Sequence, residues 1–511
     1  MAERADQDSG GEAPTIVIVG GGTAGWMAAA ALARFTDRAI TLVESDAIGT
    51  VGVGEATIPQ IRLFNAGLGI DEGEFLRETK GSFKLGIEFV GWSREGESYM
   101  HAFGHVGHPV GVLPFHHYWL RAHSAGEAEP LGAYALNEVA ARAGRMQIWA
   151  AQPGKPAPDM PWAYHFDAGL YAAYLRRYAE ARGVTRIEGK VESVRRNGQS
   201  GTIEAIVLEG ALSVAGDFFI DCTGFRSLLI GEALDTPFED WTRWLPCDRA
   251  VAVPCKTTGE FTPYTRATAR RAGWQWRIPL QHRIGNGHVY CSAFCSDDEA
   301  EEVLLENLDG EPLAEPNRLR FTTGMRTEQW RGNCLALGLA GGFMEPMEST
   351  SIHLIQSSIA RFVQMLPAQR PDPAMAREFN RQAAFEWSRI RDFLILHYHA
   401  NARHGEPFWD RCRVMDLPDT LAAKIDQFRA TGYVHREHEE LFTEPGWVQV
   451  MIGQGVTPRS HHPVADTLSR DDLTALLARI ANRNRQAAAQ MPLHAQFLRD
   501  HIMPPEMRKS A

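Results

Sequence analysis

Three glycines, Gly20, Gly22 and Gly25, stand between a β-branched apolar run, Thr15–Val19, and an Ala-rich stretch, Trp26–Arg34. In such a strand–turn–helix the first glycine permits the tight turn, the second lets a pyrophosphate approach the backbone, and the third lets helix and strand pack closely. Loop residues Thr23 and Ala24 and the helix N-terminus then face the phosphates. Glu44 ends the next apolar run, 19 residues after Gly25, where a carboxylate accepts hydrogen bonds from adenosine ribose hydroxyls. Two distant apolar runs, Phe218–Gly224 and Asn333–Gly338, bring Asp221 and Gly338 to their ends. Further contacts of that sort suit a long flavin lying across a sheet, so FAD is expected rather than NAD. Lys84 interrupts an apolar stretch, Ser82-Phe-Lys-Leu-Gly-Ile87. It is either an inward charge that needs a chemical reason or a surface lysine on an amphipathic strand. Trp274 and Trp276 alternate ahead of a proline, as core residues of one strand would, and Tyr99–Gly104 reads as an aromatic turn.

These residues need a framework, and the first 45 or so supply a β-α-β unit: strand Thr15–Val19, helix Trp26–Arg34 and strand Ala39–Glu44. The downstream runs ending in Gly224 and Gly338 are expected to complete the same parallel sheet. From about Pro373 strand signals thin out and helical periods dominate, as in Ala374–Leu396 and Arg470–Gln490, while Gln454–Val464 reads as loop. The expected division is a disordered leader at 1–13, an FAD-binding module with inserted substrate-side segments at 14–372, a mostly helical substrate-side module at 373–505, and a tail at 506–511.

The chain has 511 residues with 44% hydrophobic and 23% charged side chains, which excludes disordered, collagenous and fibrous classes. Its 52 basic against 63 acidic residues give a net charge of −11 with no long Lys/Arg run, so nucleic acid is not expected as a partner. Seven cysteines without a C-x-x-C pair suit a reduced cytoplasmic setting, and neither Cys291 with Cys295 nor His435 with His438 finds a matching second half-site for a metal. Neither an export signal nor a membrane span is expected.

Four further segments, Gly52-Val-Gly-Glu-Ala-Thr-Ile-Pro59, Gly81-Ser-Phe-Lys84, Trp274-Gln-Trp-Arg-Ile-Pro279 and Phe343-Met-Glu-Pro-Met-Glu-Ser-Thr350, follow in an order that resembles flavin-dependent halogenases of the tryptophan-halogenase type. The likeness spans about residues 14–503 and includes Tyr164–Asp167, Arg391–Phe393 and Pro407–Trp409. It implies an α/β fold: an FAD-binding, Rossmann-like core of the flavin-monooxygenase type with inserted β segments and a mostly helical C-terminal unit.

The resemblance implies a reaction in two rooms. Reduced FAD, O2 and chloride or bromide give hypohalous acid, which travels along a tunnel to a separate aromatic pocket. Gly54, Glu55 and Ala56 join the flavin contacts, and Trp274 and Trp276 bar organic substrates from the flavin. Lys84 matches the family's lysine, which hydrogen-bonds hypohalous acid or forms a haloamine and so aims the halogen. Glu348 matches the glutamate beside it, which orients the acid, stabilises the arenium cation or takes the ring proton; as an acid after a proline turn it is also a candidate helix cap. Thr350 and Ser351 fall where backbone amides bind halide, with Ser351 standing where the family carries glycine. Either that position needs no positive φ or the halide nest is reshaped. His101, Phe103 and Pro59 match the walls of the aromatic pocket. Around Thr431–Trp447 the clamp for free tryptophan does not carry over, Glu437 and Phe442 being loose candidates, so an indole or another electron-rich aromatic without an amino acid head is expected as substrate. Free tryptophan is the alternative within the family, and direct hydroxylation by an FAD-dependent monooxygenase the alternative outside it. With no second nucleotide fingerprint, a separate NADH-dependent flavin reductase is the expected partner, and the oligomeric state stays open, a homodimer among the options.

Overall fold

A computed structural model describes residues 14–49, 54–149, 158–258, 261–368 and 371–503; the expected leader and tail, and Gly52 and Val53 of the Gly52–Pro59 segment, lie outside them. The β-branched run Ile16–Val19 is buried on both faces and forms the centre of a six-stranded sheet. Its order is Trp330–Arg331, Cys334–Ala336, Phe218–Asp221, Ile16–Val19, Ile40–Glu44, Thr185–Glu188, parallel throughout except for the antiparallel edge Trp330–Arg331. Both distant runs thus enter the sheet as the sequence predicted: Val19 lies opposite Asp221, and Asp221 opposite Ala336. The helix Thr23–Phe35 buries Gly25 through Leu32, and its alanines let it lie close against neighbouring elements.

A seven-stranded sheet carries the tryptophan pair. The strand Gly273–Pro279, buried at every residue, lies between Ile284–Tyr290 and Thr265–Arg270, and the sheet continues through Gly86–Val90 to Ser98–Ala102. Gly287 lies opposite Trp276, and a Cβ there would fall 2.1 Å from the indole, so the glycine makes room for the ring. A small antiparallel sheet, Gly54–Ala56, Ala163–Asp167, Ser82–Lys84, ties the flavin-side segment to the lysine strand.

From Pro373 onward the described elements are helices, led by the 27-residue Pro373–His399, which Asp372 caps by accepting from the Ala374 amide at 2.7 Å. The helix Glu444–Gly453 docks on the strand Ser98–Ala102 through Gln449, which accepts from the Ala102 amide and donates to its carbonyl, both at 3.1 Å.

Candidate active site

The glycine loop opens onto a cavity of about 510 Å3. Its three glycines do different work. A Cβ on Gly20, at φ +109°, would sit 2.2 Å from the Cys222 carbonyl, and one on Gly25 would sit 1.9 Å from the Gly20 carbonyl, whereas one on Gly22 meets nothing within 4 Å. The loop is closed on two sides by backbone and open on the third, the shape a pyrophosphate needs. Gly20, Gly22, Thr23, Ala24, Glu44, Gly54, Glu55, Ala56 and Gly338 all line the cavity, so the residues fit an FAD. Glu44 meets Arg186 at 2.5 Å, which fixes its carboxylate beside the loop, and burial pushes Glu55 up to about 7. Asp221 needs a correction: its carboxylate does not line the cavity but accepts from Thr223, Leu229 and Ile230, the two last amides at 2.7 and 2.8 Å. It builds the turn whose residues Cys222 to Arg226 form the wall.

Trp274, Trp276 and Ser351 also line this cavity. Ser351 opens the helix Ser351–Gln364 without a positive φ; the left-handed residue is Ser349, at φ +60°. The first of the two readings of the glycine replacement therefore describes the backbone. Thr350 is buried at the helix start and its side chain makes no cap hydrogen bond.

Lys84 is fully buried, so its charge does point inward. Its Nζ donates to Ser349 Oγ at 2.7 Å and lies 5.4 Å from the centre of the Phe103 ring. Burial pulls the ammonium from near 10.5 down to about 7, against an opposing pull from Glu348.

Glu348, in the short turn Pro346–Glu348, is turned into the core and caps no helix, correcting that part of the sequence reading. His101 Nδ1 lies 2.7 Å from its Oε2, and His397 Nε2 lies 2.8 Å from its Oε1. Burial pushes this carboxyl up, but the two imidazoles outweigh it and hold the pKa well below the usual carboxylate range. His101 thus touches the glutamate directly, and its Nε2 faces Gly446, where a Cβ would sit 2.8 Å away. Pro59 starts the helix Gln60–Leu68.

Glu345, three residues earlier, is fully buried and accepts from the Trp274 indole at 2.8 Å and from the Tyr398 hydroxyl at 2.5 Å. Burial lifts it to about 7, against the opposing pull of the Tyr398 and Trp274 hydrogen bonds. One turn of chain, Glu345–Ser349, thereby contacts the cavity-side tryptophan at one end and Lys84 at the other. Neither Lys84 nor Glu348 lines the cavity.

Ser349, Glu345, His397 and Tyr398 were not singled out from sequence. A signal existed for the last two: a histidine and a tyrosine inside the apolar run Phe393-Leu-Ile-Leu-His-Tyr398 are polar groups that need partners once buried. In the segment 431–447, the Glu437 carboxylate is taken by Arg389, Glu440 pairs with Lys424 at 3.0 Å, and Phe442 stacks on Phe393 with ring centres 3.8 Å apart. These side chains already have partners within the protein.

The tryptophan halogenase family model matches residues 15–470. A tryptophan 6-halogenase of Streptomyces toxytricini is 37% identical over 81% of this chain and 83% of its own length. Among solved structures, a flavin-dependent halogenase from Xanthomonas campestris is 49% identical with a TM-score of 0.93, covering 97% of this chain and 99% of its own. Another from Brevundimonas sp. BAL3 is 44% identical with a TM-score of 0.92, covering 96% and 100%. The chain belongs to the tryptophan halogenase family.

Proposed function

We propose that this protein uses reduced FAD, O2 and chloride or bromide to halogenate an indole or another electron-rich aromatic ring, with Lys84 and Glu348 as the catalytic pair. The observation that carries this is the buried Lys84–Ser349–Glu348 cluster lying outside a cavity whose wall includes Trp274, Trp276 and Ser351. Reduced FAD supplies the two electrons and, with O2 and halide, the hypohalous acid. Gly20, Gly22, Thr23, Ala24, Glu44, Gly54 and Gly338 would hold the cofactor, and the amides at Thr350 and Ser351 the halide. A separate NADH-dependent flavin reductase delivers the reducing equivalents.

The aromatic step follows from the two side chains. The carbon–halogen bond forms as the halogen–oxygen bond of hypohalous acid breaks; Lys84 donates a proton to the departing oxygen, giving water, and Glu348 accepts the ring proton. An ammonium drawn down to about 7 gives up its proton readily near neutral pH. A carboxylate held ionised by His101 and His397 is ready to receive one and stabilises the cationic ring meanwhile. Phe103, beside Lys84, offers a ring face for the substrate.

The partners already taken by Glu437 and Glu440 support a substrate without an amino acid head. Free tryptophan is the second reading, favoured by the names of relatives such as the Streptomyces toxytricini enzyme. The test is incubation with FAD, a generic reductase, NADH and bromide or chloride, followed by mass analysis of an aromatic panel. Products gaining a halogen in place of hydrogen, only when halide is present, support the proposal; products gaining one oxygen without halide would replace it with hydroxylation.

A further inference from the structure

His397 sits fully buried near the end of the helix Pro373–His399, pressed against Phe89 with ring centres 4.4 Å apart. Both of its ring nitrogens face polar atoms. Nε2 lies 2.8 Å from Glu348 Oε1, and Nδ1 lies 2.8 Å from the Tyr99 hydroxyl. A neutral imidazole has one N–H and one lone pair, an ionised carboxylate can only accept, and a tyrosine hydroxyl can do either. One arrangement suits all three: Tyr99 donates to Nδ1, leaving the proton on Nε2, on the side of the carboxylate, in a close charge contact rather than an aligned hydrogen bond. The other tautomer would set two lone pairs against each other at 2.8 Å in the core. Burial keeps the ring neutral by lowering its pKa, and burial together with Glu348 keeps the Tyr99 hydroxyl protonated by raising that group's.

We propose that His397 is a positioning residue for Glu348, with the Tyr99 hydroxyl taking up its other ring nitrogen. The inference rests on the reading of Glu348 as the ring-proton acceptor. With His101 hydrogen-bonded to Oε2 and His397 packed 2.8 Å from Oε1, the carboxylate has an imidazole against each oxygen, which restricts its rotation while each oxygen keeps a lone pair for the incoming proton. Its titratable surroundings are Lys84 on one strand, His101 and Tyr99 on another, Glu345 in the same turn, and His397 and Tyr398 on the long helix.

The test compares His397→Leu, His397→Gln, Tyr99→Phe and Glu348→Gln in the FAD-loaded enzyme with reductase, halide and an accepted aromatic. His397→Leu should lower kcat by roughly ten- to a hundredfold, with KM for the aromatic within about threefold, and move the acidic limb of the kcat–pH profile upward by about one pH unit or more. His397→Gln, whose amide can donate in place of Nε2–H, should recover most of the loss. Nitrogen NMR of histidine-labelled wild type should show His397 protonated at Nε2, and Tyr99→Phe, which leaves the carboxylate in place, should retain that preference. A His397→Leu enzyme with unchanged kcat and pH limb would overturn the proposal, and so would a wild-type ring protonated at Nδ1, a readout that needs no variant to fold. If Glu348→Gln leaves halogenation intact, the catalytic reading of Glu348 falls first; if Glu348→Gln is inactive while His397→Leu is not, only the role of His397 falls.

Discussion

Burying Lys84 should cost the fold stability that a methionine in its place would return. Lowering an ammonium from near 10.5 to about 7 corresponds to about 5 kcal/mol against the charged form. In Lys84→Met the apolar side chain of similar length removes that penalty, and Ser349 Oγ loses its donor, a loss worth about 1 kcal/mol. With partial relaxation of the site, the variant should be more stable by about 2–4 kcal/mol at neutral pH, visible as an apparent Tm raised by a few degrees in the FAD-free protein. The pH dependence identifies the cause. Between about 7 and 10.5 the unfolded chain holds the lysine proton while the folded chain does not, so wild-type stability rises with pH across that window. The penalty is full below about 7 and fades toward 10.5, and the gap to Lys84→Met should close in parallel. Thermal unfolding of both proteins from pH 6 to 10 measures it. A gap that is absent, of opposite sign, or constant with pH would refute the claim that Lys84 is held as a strained buried cation.

Gly22→Leu should fold normally yet fail to retain FAD, because a Cβ there meets no protein atom within 4 Å and the side chain fills the pyrophosphate's space, whereas Gly25→Ala, driven 1.9 Å from the Gly20 carbonyl, should lose stability itself. Flavin absorbance after gel filtration and circular-dichroism melting separate these outcomes. Indole should exceed free tryptophan in kcat/KM by tenfold or more, since a desolvated ammonium or carboxylate without partners costs several kcal/mol and each 1.4 kcal/mol is about tenfold; competition assays read by mass spectrometry check this. Glu348→Gln should lose halogenation but less completely than Lys84→Ala, because the amide keeps a polar contact yet cannot accept the ring proton, as product yield per flavin oxidised would report.

The nucleotide half of the fold was legible because its physics is local. A β-branched strand, glycines at the turn and an Ala-rich helix each specify their own backbone, and of the residues named from that pattern Gly20, Gly22, Thr23, Ala24 and Glu44 line the cavity, while Gly25 packs against the Gly20 carbonyl. Asp221 was misread because an acid at a strand end serves equally well as a ligand or as an acceptor for its own turn, and here three following residues claim it. The lysine was legible only through its company: three consecutive buried residues, Ser82-Phe83-Lys84, break the alternation that would have marked an inward face. What surrounds Glu348 depends on contacts between segments far apart in sequence. His101 and His397 lie on a strand and a helix almost 300 residues apart, and no periodicity in either announces that both rings converge on one carboxylate. The left-handed backbone at Ser349 was equally hidden, since a serine there advertises none of the freedom a glycine would.

The separation of the flavin cavity from the Lys84–Glu348 cluster is tested most directly by stopped-flow oxidation of enzyme-bound reduced FAD, paired with aromatic product yield, in wild type and Lys84→Ala. Lys84 does not line the cavity, so FAD binding and its reoxidation by O2 should remain within about twofold of wild type. Aromatic halogenation should fall by orders of magnitude, since positioning alone can be worth roughly 7–11 kcal/mol of barrier. A Lys84→Ala enzyme that halogenates at the wild-type rate, or one that loses FAD or its reoxidation along with halogenation, would contradict the two-room arrangement.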